Sequence, residues 1–389
     1  MDKVRIGVIG IGNMGMAHSK SIFAGNIPGL CLAAVADMSL QRREWAQGFF
    51  QAGIPVFAGG EELIRSGLVD AVLIATPHYE HPALTIMAFN NNLHVLCEKP
   101  SGVYVKQVRE MNEAAAKSNC VFAMMFNQRT NCNFRAMHEL VHSGRLGAIK
   151  RVSWIITNWY RTQAYYDSGG WRATWEGEGG GVLLNQCPHN LDLLQWICGM
   201  PEKVHAFCHY GKWHDIEVED DVTAYFEYPN GATGTFITST ADAPGTNRFE
   251  ITLEKGKLVF EDGKGLLLEE LEVNERELCK TATGGFDQPP KKACAVETDG
   301  KNEQHSGILK AFAGRILSGT PLIADGIEGI HGLALSNAMH LSSWLGKTVS
   351  LPIDDDLFLD ELNRRRAGSR RKTGSGELLD VSRSFNAGI

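Results

Sequence analysis

The sequence predicts an α/β protein in two units: an N-terminal doubly wound parallel sheet, then a C-terminal α/β unit with a large, mostly antiparallel open sheet. Three observations carry this. Short β-branched runs alternate with helical patterns over residues 1–126, and longer alternating strands with a hairpin signal begin at residue 151. The chain has 389 residues, whereas single cores stop growing near roughly 250 to 300 residues. We read 1–126 as a cofactor-binding unit, 127–353 as a substrate-binding and oligomerisation unit, and 354–389 as a charged tail.

Composition narrows the class. Hydrophobic residues make up 43% of the chain, charged residues 21% and aromatics 8%, which suits a globular protein with a sizeable core and excludes wholesale disorder. Lys and Arg number 38 against 45 Asp and Glu, and a net charge of −7 argues against nucleic acid as a partner. The opening MDKVRIGVIG lacks the apolar run of a signal peptide. No window approaches about 18 uninterrupted apolar residues, so no membrane partner is expected. Nine cysteines without a CxxC pair suit a reducing cytoplasm.

The runs 4–9, 30–36, 71–75, 94–97 and 121–126 are spaced as strands of βαβ units. Between the first run and the first helix stands Gly10-Ile11-Gly12-Asn13-Met14-Gly15, and Asp37 ends the second run, 22 residues past Gly15. In that context Gly10 permits the tight turn, Gly12 lets the backbone approach a pyrophosphate, and Gly15 lets helix and strand close together. The helix N-terminus supplies unpaired N–H groups. Asp37 is placed to accept the ribose hydroxyls and to repel a 2′-phosphate, so NAD is expected rather than NADP. Arg42 and Arg43 would soften that preference if either turned toward the ribose, and are otherwise read as exposed helix residues. Thr76-Pro77-His78 follows the third run and Glu98-Lys99-Pro100 the fourth, both at the carboxyl edge where open α/β sheets bind ligands. Thr76, Pro77, His78, Glu98 and Lys99 are therefore placed around the cofactor; His81 is read as a helix start.

Trp154, Trp159, Tyr160, Tyr165, Tyr166, Trp171 and Trp175 crowd 22 residues, interleaved with Arg161, Asp167 and Arg172. Flat rings beside hydrogen-bonding side chains suit a carbohydrate larger than a free inositol. Packing is the alternative reading of the cluster, with function favoured for Tyr160, Arg161, Trp171 and Arg172. Gly179-Gly180-Gly181 leads into a helical pattern over 182–198, on which Asn185, His189 and Asp192 recur at i, i+4 and i+7 and so share one face. Pro188 is expected to kink that helix before His189.

Runs 151–159, 203–210, 222–228, 232–240, 247–254 and 257–261 read as the second sheet, with Asn230-Gly231 turning a hairpin. His205, Cys208, His209 and His214 do not form a metal site on this reading, because Cys208 points away from His205 and His209 on a strand; no metal is expected. Residues 281–304 read as a long loop, 305–317 and 327–345 as helices, the second closed by Gly346. The tail, acidic at Asp354 to Asp356 and basic at Arg364, Arg365, Arg366, Arg370, Arg371 and Lys372, reads as a solvated or subunit-wrapping arm.

The fingerprint, the Glu98-Lys99-Pro100 motif and the glycine run leading to His189 and Asp192 together resemble the Gfo/Idh/MocA family, the group of glucose-fructose oxidoreductase and inositol dehydrogenase. The likeness extends to about residue 350. It implies a Rossmann domain before an α/β domain with an open sheet, a Lys99-Pro100 bond that is often cis, and action of Lys99 and His189 on a sugar or polyol hydroxyl. The family commonly has aspartate where this chain has Asn185. A neutral amide orients a hydroxyl but is no base, which leaves His189 as the base. Lys99 would stabilise charge developing on the oxygen.

The leading expectation is an NAD-dependent dehydrogenase of a sugar, polyol or glycoside. A redox-neutral NAD-dependent glycosidase or lyase is the first alternative. A non-catalytic cofactor-sensing regulator is the second, disfavoured because it needs neither Lys99 nor His189. No arm precedes Met1 to Lys3 to clamp the pyrophosphate, so the cofactor is expected to exchange. Neither face of the second sheet looks polar enough to stand in water, and a homodimer or homotetramer is expected.

Overall fold

Apolar strands that are buried on both faces need helices on both sides, and the computed structural model, which describes residues 2–370, supplies them. Strands β1 (Val4–Ile9), β2 (Leu30–Ala36), β3 (Val56–Phe57), β4 (Ala71–Ile74), β5 (His94–Cys97) and β6 (Phe122–Met124) form one sheet in the order β3-β2-β1-β4-β5-β6, every pairing parallel. This is the doubly wound arrangement, and its ligand crevice opens between β1 and β4, where the strand order reverses. The two-residue edge strand β3 was too short to carry a periodic signal.

The second sheet holds nine strands: β7 (Ile149–Ile156), β8 (Lys203–Tyr210), β9 (Glu219–Glu227), β10 (Thr233–Ser239), β11 (Asn247–Leu253), β12 (Gly256–Glu261), β13 (Gly265–Leu271), β14 (Lys291–Ala295) and β15 (Val349–Ser350). Their order is β14-β13-β12-β11-β7-β10-β9-β8-β15, antiparallel except where β10 runs parallel to β7. The hairpin at Asn230-Gly231 joins β9 and β10, with Gly231 at φ 82° and Tyr228 N–H on the Ala232 carbonyl. Residues 281–304 are not all loop: β14 adds an exposed edge there, guarded by Lys291 on Glu269 and Lys292 on Glu272.

One face of this sheet is core. Trp154 lies flat on Phe249, ring centroids 4.1 Å apart, and Phe134 from the helix Cys132–His142 packs on Trp154 and Phe260. The helices Pro188–Cys198 and Gly329–Leu345 cover the rest. The outer face is more polar than the sequence reading held. Arg151, Ser153, Thr223, Thr235, Arg248 and Glu250 alternate there with Ile155, Tyr225, Ile237 and Phe207, and ion pairs such as Arg248 with Glu250 lace it. His205 and His209 share that outer face, while Cys208 is buried against the Met339 carbonyl and His214 pairs with Asp220.

The expected helix over 182–198 begins only at Pro188. Proline there occupies the first helical position, where its missing N–H costs nothing. Nothing kinks, and Asn185 belongs to the preceding turn rather than to a helix face shared with His189. The tail also differs from the expected arm: Asp354 caps the helix Asp355–Ala367, whose Phe358 and Leu362 are buried. Arg365 sits 3.9 Å over the Trp344 ring and Arg366 4.8 Å over that of Tyr79. Arg371 and Lys372 lie outside the described residues.

Asp192 is buried away from the site, where two guanidinium nitrogens of Arg129 donate to it at 2.8 and 2.7 Å and a third nitrogen pairs with Glu328. Arg129 belongs to the turn after β6, so the pair ties the first sheet to the His189 helix. Removing one partner strands the other charge in the interior. Arg129→Met should therefore cost about 3–5 kcal/mol in urea unfolding, and the double variant Arg129→Met with Asp192→Leu should recover much of it. A loss below about 1 kcal/mol for the single variant would contradict a linking role.

Candidate active site

The strand β1 ends in the fingerprint, and each glycine has a geometric reason. Gly10 holds φ 90°, where a side chain would be strained. A Cβ on Gly15 would lie 1.8 Å from the Gly10 carbonyl oxygen, so only glycine lets the helix Asn13–Phe23 close on the turn. Gly12 has open space on its Cβ side, facing a cleft of about 1050 Å³. Asp37 stands on the rim of that cleft, its carboxylate already accepting Ile11 N–H at 2.6 Å and Ser39 N–H at 2.8 Å. Arg43 is turned to the Asp37 and Met38 carbonyls, while Arg42 reaches the cleft. An open cradle over Gly12, free helix N–H groups and a carboxylate at the rim fit a dinucleotide with an unphosphorylated ribose.

Of the residues expected around the cofactor, Gly10, Gly12, Asn13, Met14, Asp37, Thr76, Pro77, His78, Glu98 and Lys99 line the cleft. Ile11 and Gly15 lie beneath it and shape the turn. His81 begins the helix His81–Asn90 and is held by the Pro100 and Thr76 carbonyls at 2.7 and 2.8 Å. His78 lies edge-on to Trp171, 5.8 Å between centroids.

Lys99 precedes a cis bond to Pro100. Its ammonium donates to the Asn185 carbonyl at 2.8 Å, which leaves two protons for other acceptors. Burial pulls its pKa below the ordinary lysine value, opposed by the charges of Glu98 and Glu178. Glu98 does not face a reactant: it accepts from His18 at 2.7 Å and from the Lys99 backbone N–H at 3.1 Å. Burial, the largest single influence, would raise its pKa, but the His18 hydrogen bond together with the charges of His18, His305 and Lys99 outweighs that and brings it down to about 2.

His189 opens its helix at the cleft wall. Its Nδ1 is shielded from solvent and has no hydrogen-bond partner, unlike a satisfied core histidine. Burial, and then the charge of Lys99, hold its pKa well below the ordinary value, so the imidazole is neutral at physiological pH. The turn before it is fixed by Glu219, which accepts N–H groups from Gly181 and Leu183 at 2.9 Å. A Cβ on Gly181 would fall 2.0 Å from the Glu219 carbonyl oxygen.

The aromatic cluster divides. Trp159, Tyr165 and Trp171 line the cleft with Arg161, Arg172, Asn185 and His189, whereas Trp154, Tyr166 and Trp175 are core. Tyr160 is 51% exposed and outside the cleft, which corrects its expected place in the substrate site. Sequence reasoning missed His18, Glu178 and His305. His18 belongs to the buried stripe Gly15, His18, Ser19 and Ile22 of the first helix, a histidine out of place on an apolar face. Glu178 directly precedes the glycine run; it is buried and accepts from the Ala173 N–H and the Asn185 amide. His305, edge-on to His18, had no local signal.

Comparison with known proteins agrees with this geometry. Residues 4–126 match the Gfo/Idh/MocA oxidoreductase family model of the NAD-binding Rossmann fold, and residues 134–259 match the Gfo/Idh/MocA C-terminal domain; together they take in more than half of the chain. The chain is 31% identical over 198 residues to inositol 2-dehydrogenase of Rubrobacter xylanophilus, a match covering 50% of this chain and 52% of that protein. The chain thus spans about half the length of that relative. It is 26% identical over 356 residues to myo-inositol 2-dehydrogenase of Thermotoga maritima, covering 90% and 98%. The WlbA dehydrogenase from Chromobacterium violaceum, solved in complex with NADH and UDP-GlcNAcA, is 27% identical with a TM-score of 0.74, covering 91% and 97%. With its fingerprint, its Glu98-Lys99-Pro100 turn and both family domains in order, the chain belongs to the Gfo/Idh/MocA family of NAD-binding oxidoreductases.

Proposed function

We propose that the protein oxidises a ring hydroxyl of a sugar, polyol or glycoside, with His189 as the base and Lys99 holding the alkoxide oxygen. The observation that carries this is a neutral histidine on the cleft wall beside a partly buried ammonium, in the same cleft as the dinucleotide cradle. NAD, when bound, supplies the hydride acceptor. His189 takes the hydroxyl proton, and its depressed basicity matters less than its being uncharged before the reaction. Lys99, aimed by the Asn185 carbonyl, donates to the oxygen as negative charge grows on it. The rings of Trp159, Tyr165 and Trp171 offer apolar faces to sugar C–H groups. The relatives named inositol dehydrogenases and the neighbour solved with a sugar nucleotide support the substrate class.

Paired measurement across a panel of sugars and glycosides tests the reading: NADH absorbance and chromatographic release of aglycone from one reaction. NADH should accumulate with substrate. Aglycone without NADH would make the redox-neutral alternative correct. Lys99→Ala and His189→Ala should each lower kcat by about 100-fold or more while leaving NAD affinity within a few-fold, since both act in the transition state. Either variant keeping near-native kcat would remove that residue's role.

The pH profile follows from the shifts. A base with a depressed pKa stays competent until the pH falls through the depressed value, so kcat/KM should hold at pH 6.5 and fall only below it. On the alkaline side, Lys99 should lose its proton below 10.5 and close the bell. An acid limb centred at or above 6.5 would show that another group is the base.

Association as a homodimer or homotetramer through the outer face of the second sheet is part of the same reading, supported by Phe207, Tyr225, Ile155 and Ile237 on that face. Light scattering at micromolar concentration should give a multiple of 42.7 kDa. A monomer mass would exclude it.

A further inference from the structure

The substrate half of the cleft carries more positive charge than proton abstraction requires. Arg161 and Arg172 approach the same ring, that of Tyr165, at 5.1 and 4.6 Å from its centroid. Arg161 uses one terminal nitrogen on the Tyr160 carbonyl at 2.9 Å, and Arg172 uses one on the Tyr165 hydroxyl at 2.9 Å. Among the described residues, no carboxylate lies within the 4.0 Å of an ion pair with either guanidinium. Both nevertheless line the cleft, with Lys99 near enough that their charges depress its pKa.

The carboxylates closest to this group are already engaged. Glu98 is held by His18 and the Lys99 N–H, and Glu178 by the Ala173 N–H and the Asn185 amide. Glu98 and Glu178 offset part of the charge of Lys99 and Arg172, which still leaves three cations against two carboxylates at one end of the cleft. Like charges brought together in a partly desolvated place cost free energy, and a bound anion recovers it. Each guanidinium lies against the Tyr165 ring and is held by a hydrogen bond, and the remaining N–H donors suit a carboxylate or phosphate oxygen.

We propose that the sugar oxidised here carries an anionic group, a carboxylate or a phosphate, seated between Arg161 and Arg172 while its reacting hydroxyl meets Lys99 and His189. The assignment rests on the carbohydrate dehydrogenase reading and narrows it to acidic sugars. Nothing in it calls for a further reactant, because the anionic group is bound and not transformed.

The test uses the full chain with saturating NAD and matched substrates: glucose, methyl glucoside, glucuronate and glucose 6-phosphate. Binding is read in parallel by titrating glucose, glucuronate and glucose 6-phosphate into the enzyme–NADH complex. An anionic sugar should exceed its neutral counterpart by about 100-fold in kcat/KM or in affinity. The favoured arm identifies carboxylate or phosphate. Arg161→Gln and Arg172→Gln should each shrink that ratio by about tenfold or more, whereas damage to the fold would lower acidic and neutral sugars together. Preferential binding of the anion without NADH would keep the arginine site and remove the dehydrogenase reading. NADH formed equally from neutral and acidic sugars would keep the dehydrogenase and overturn the arginine site. No preference in either measurement also overturns it.

Discussion

Arg129 fixes where the His189 helix stands relative to the edge of the first sheet. It reaches from the turn after β6 to Asp192, three residues beyond His189, with two parallel hydrogen bonds, and to Glu328 at the start of the helix Gly329–Leu345. A two-point contact between a planar guanidinium and a carboxylate sets rotation as well as distance. Phe126 and Trp196 cover the guanidinium, at 5.6 and 5.2 Å from the ring centroids, and keep water away from it. Swinging the helix outward would leave two opposite charges unpaired in the interior, so the two sheets are held together by a cost neither side can avoid.

Desolvation then does two jobs in the same crevice. It disfavours charge on His189, which keeps a proton acceptor available, and it disfavours charge on Lys99, which would remove the donor. Neighbouring charges separate the two outcomes: His189 feels the Lys99 ammonium more than Glu98, whereas on Lys99 the leading charge is that of Glu98. Ionised by its contact with His18, Glu98 supports the Lys99 ammonium, as does Glu178 from the glycine run. One dry environment thus holds one basic group neutral and supports the charge of its neighbour.

The sequence was most readable where a backbone requirement permits one residue type. Gly10, Gly12, Gly15, Asp37 and the Lys99-Pro100 turn fall where the motifs put them, and at Gly10 and Gly15 the φ of 90° and the 1.8 Å approach to the Gly10 carbonyl oxygen exclude a side chain. Reading failed where periodicity stood in for geometry. Residues 182–198 have helical spacing throughout, yet Pro188 starts the helix, and Asp192 finds a partner 63 residues away that no local pattern announces. Tyr160 and Trp171 looked alike in a crowded segment; only the fold turns one out and the other in. The basic tail read as a solvated or subunit-wrapping arm from its charge, but Arg365 and Arg366 sit over the rings of Trp344 and Tyr79, a use of arginine that composition cannot separate from exposure.

The parallel pairing of β7 with β10 has a consequence for how such a chain diversifies. Strands laid side by side in the same direction cannot be joined by a tight turn. Here the connection leaves β7 at residue 156, carries the aromatic segment and the His189 helix, adds β8 and β9 on the far side, and only then returns. The aromatic and arginine side chains at the substrate end of the cleft lie in that excursion, anchored at both ends by ladders indifferent to its length. Closing a longer loop costs little more than closing a shorter one. Insertions or deletions between residues 157 and 187 could therefore refit the pocket to another substrate while leaving the sheet register and the dinucleotide cradle untouched.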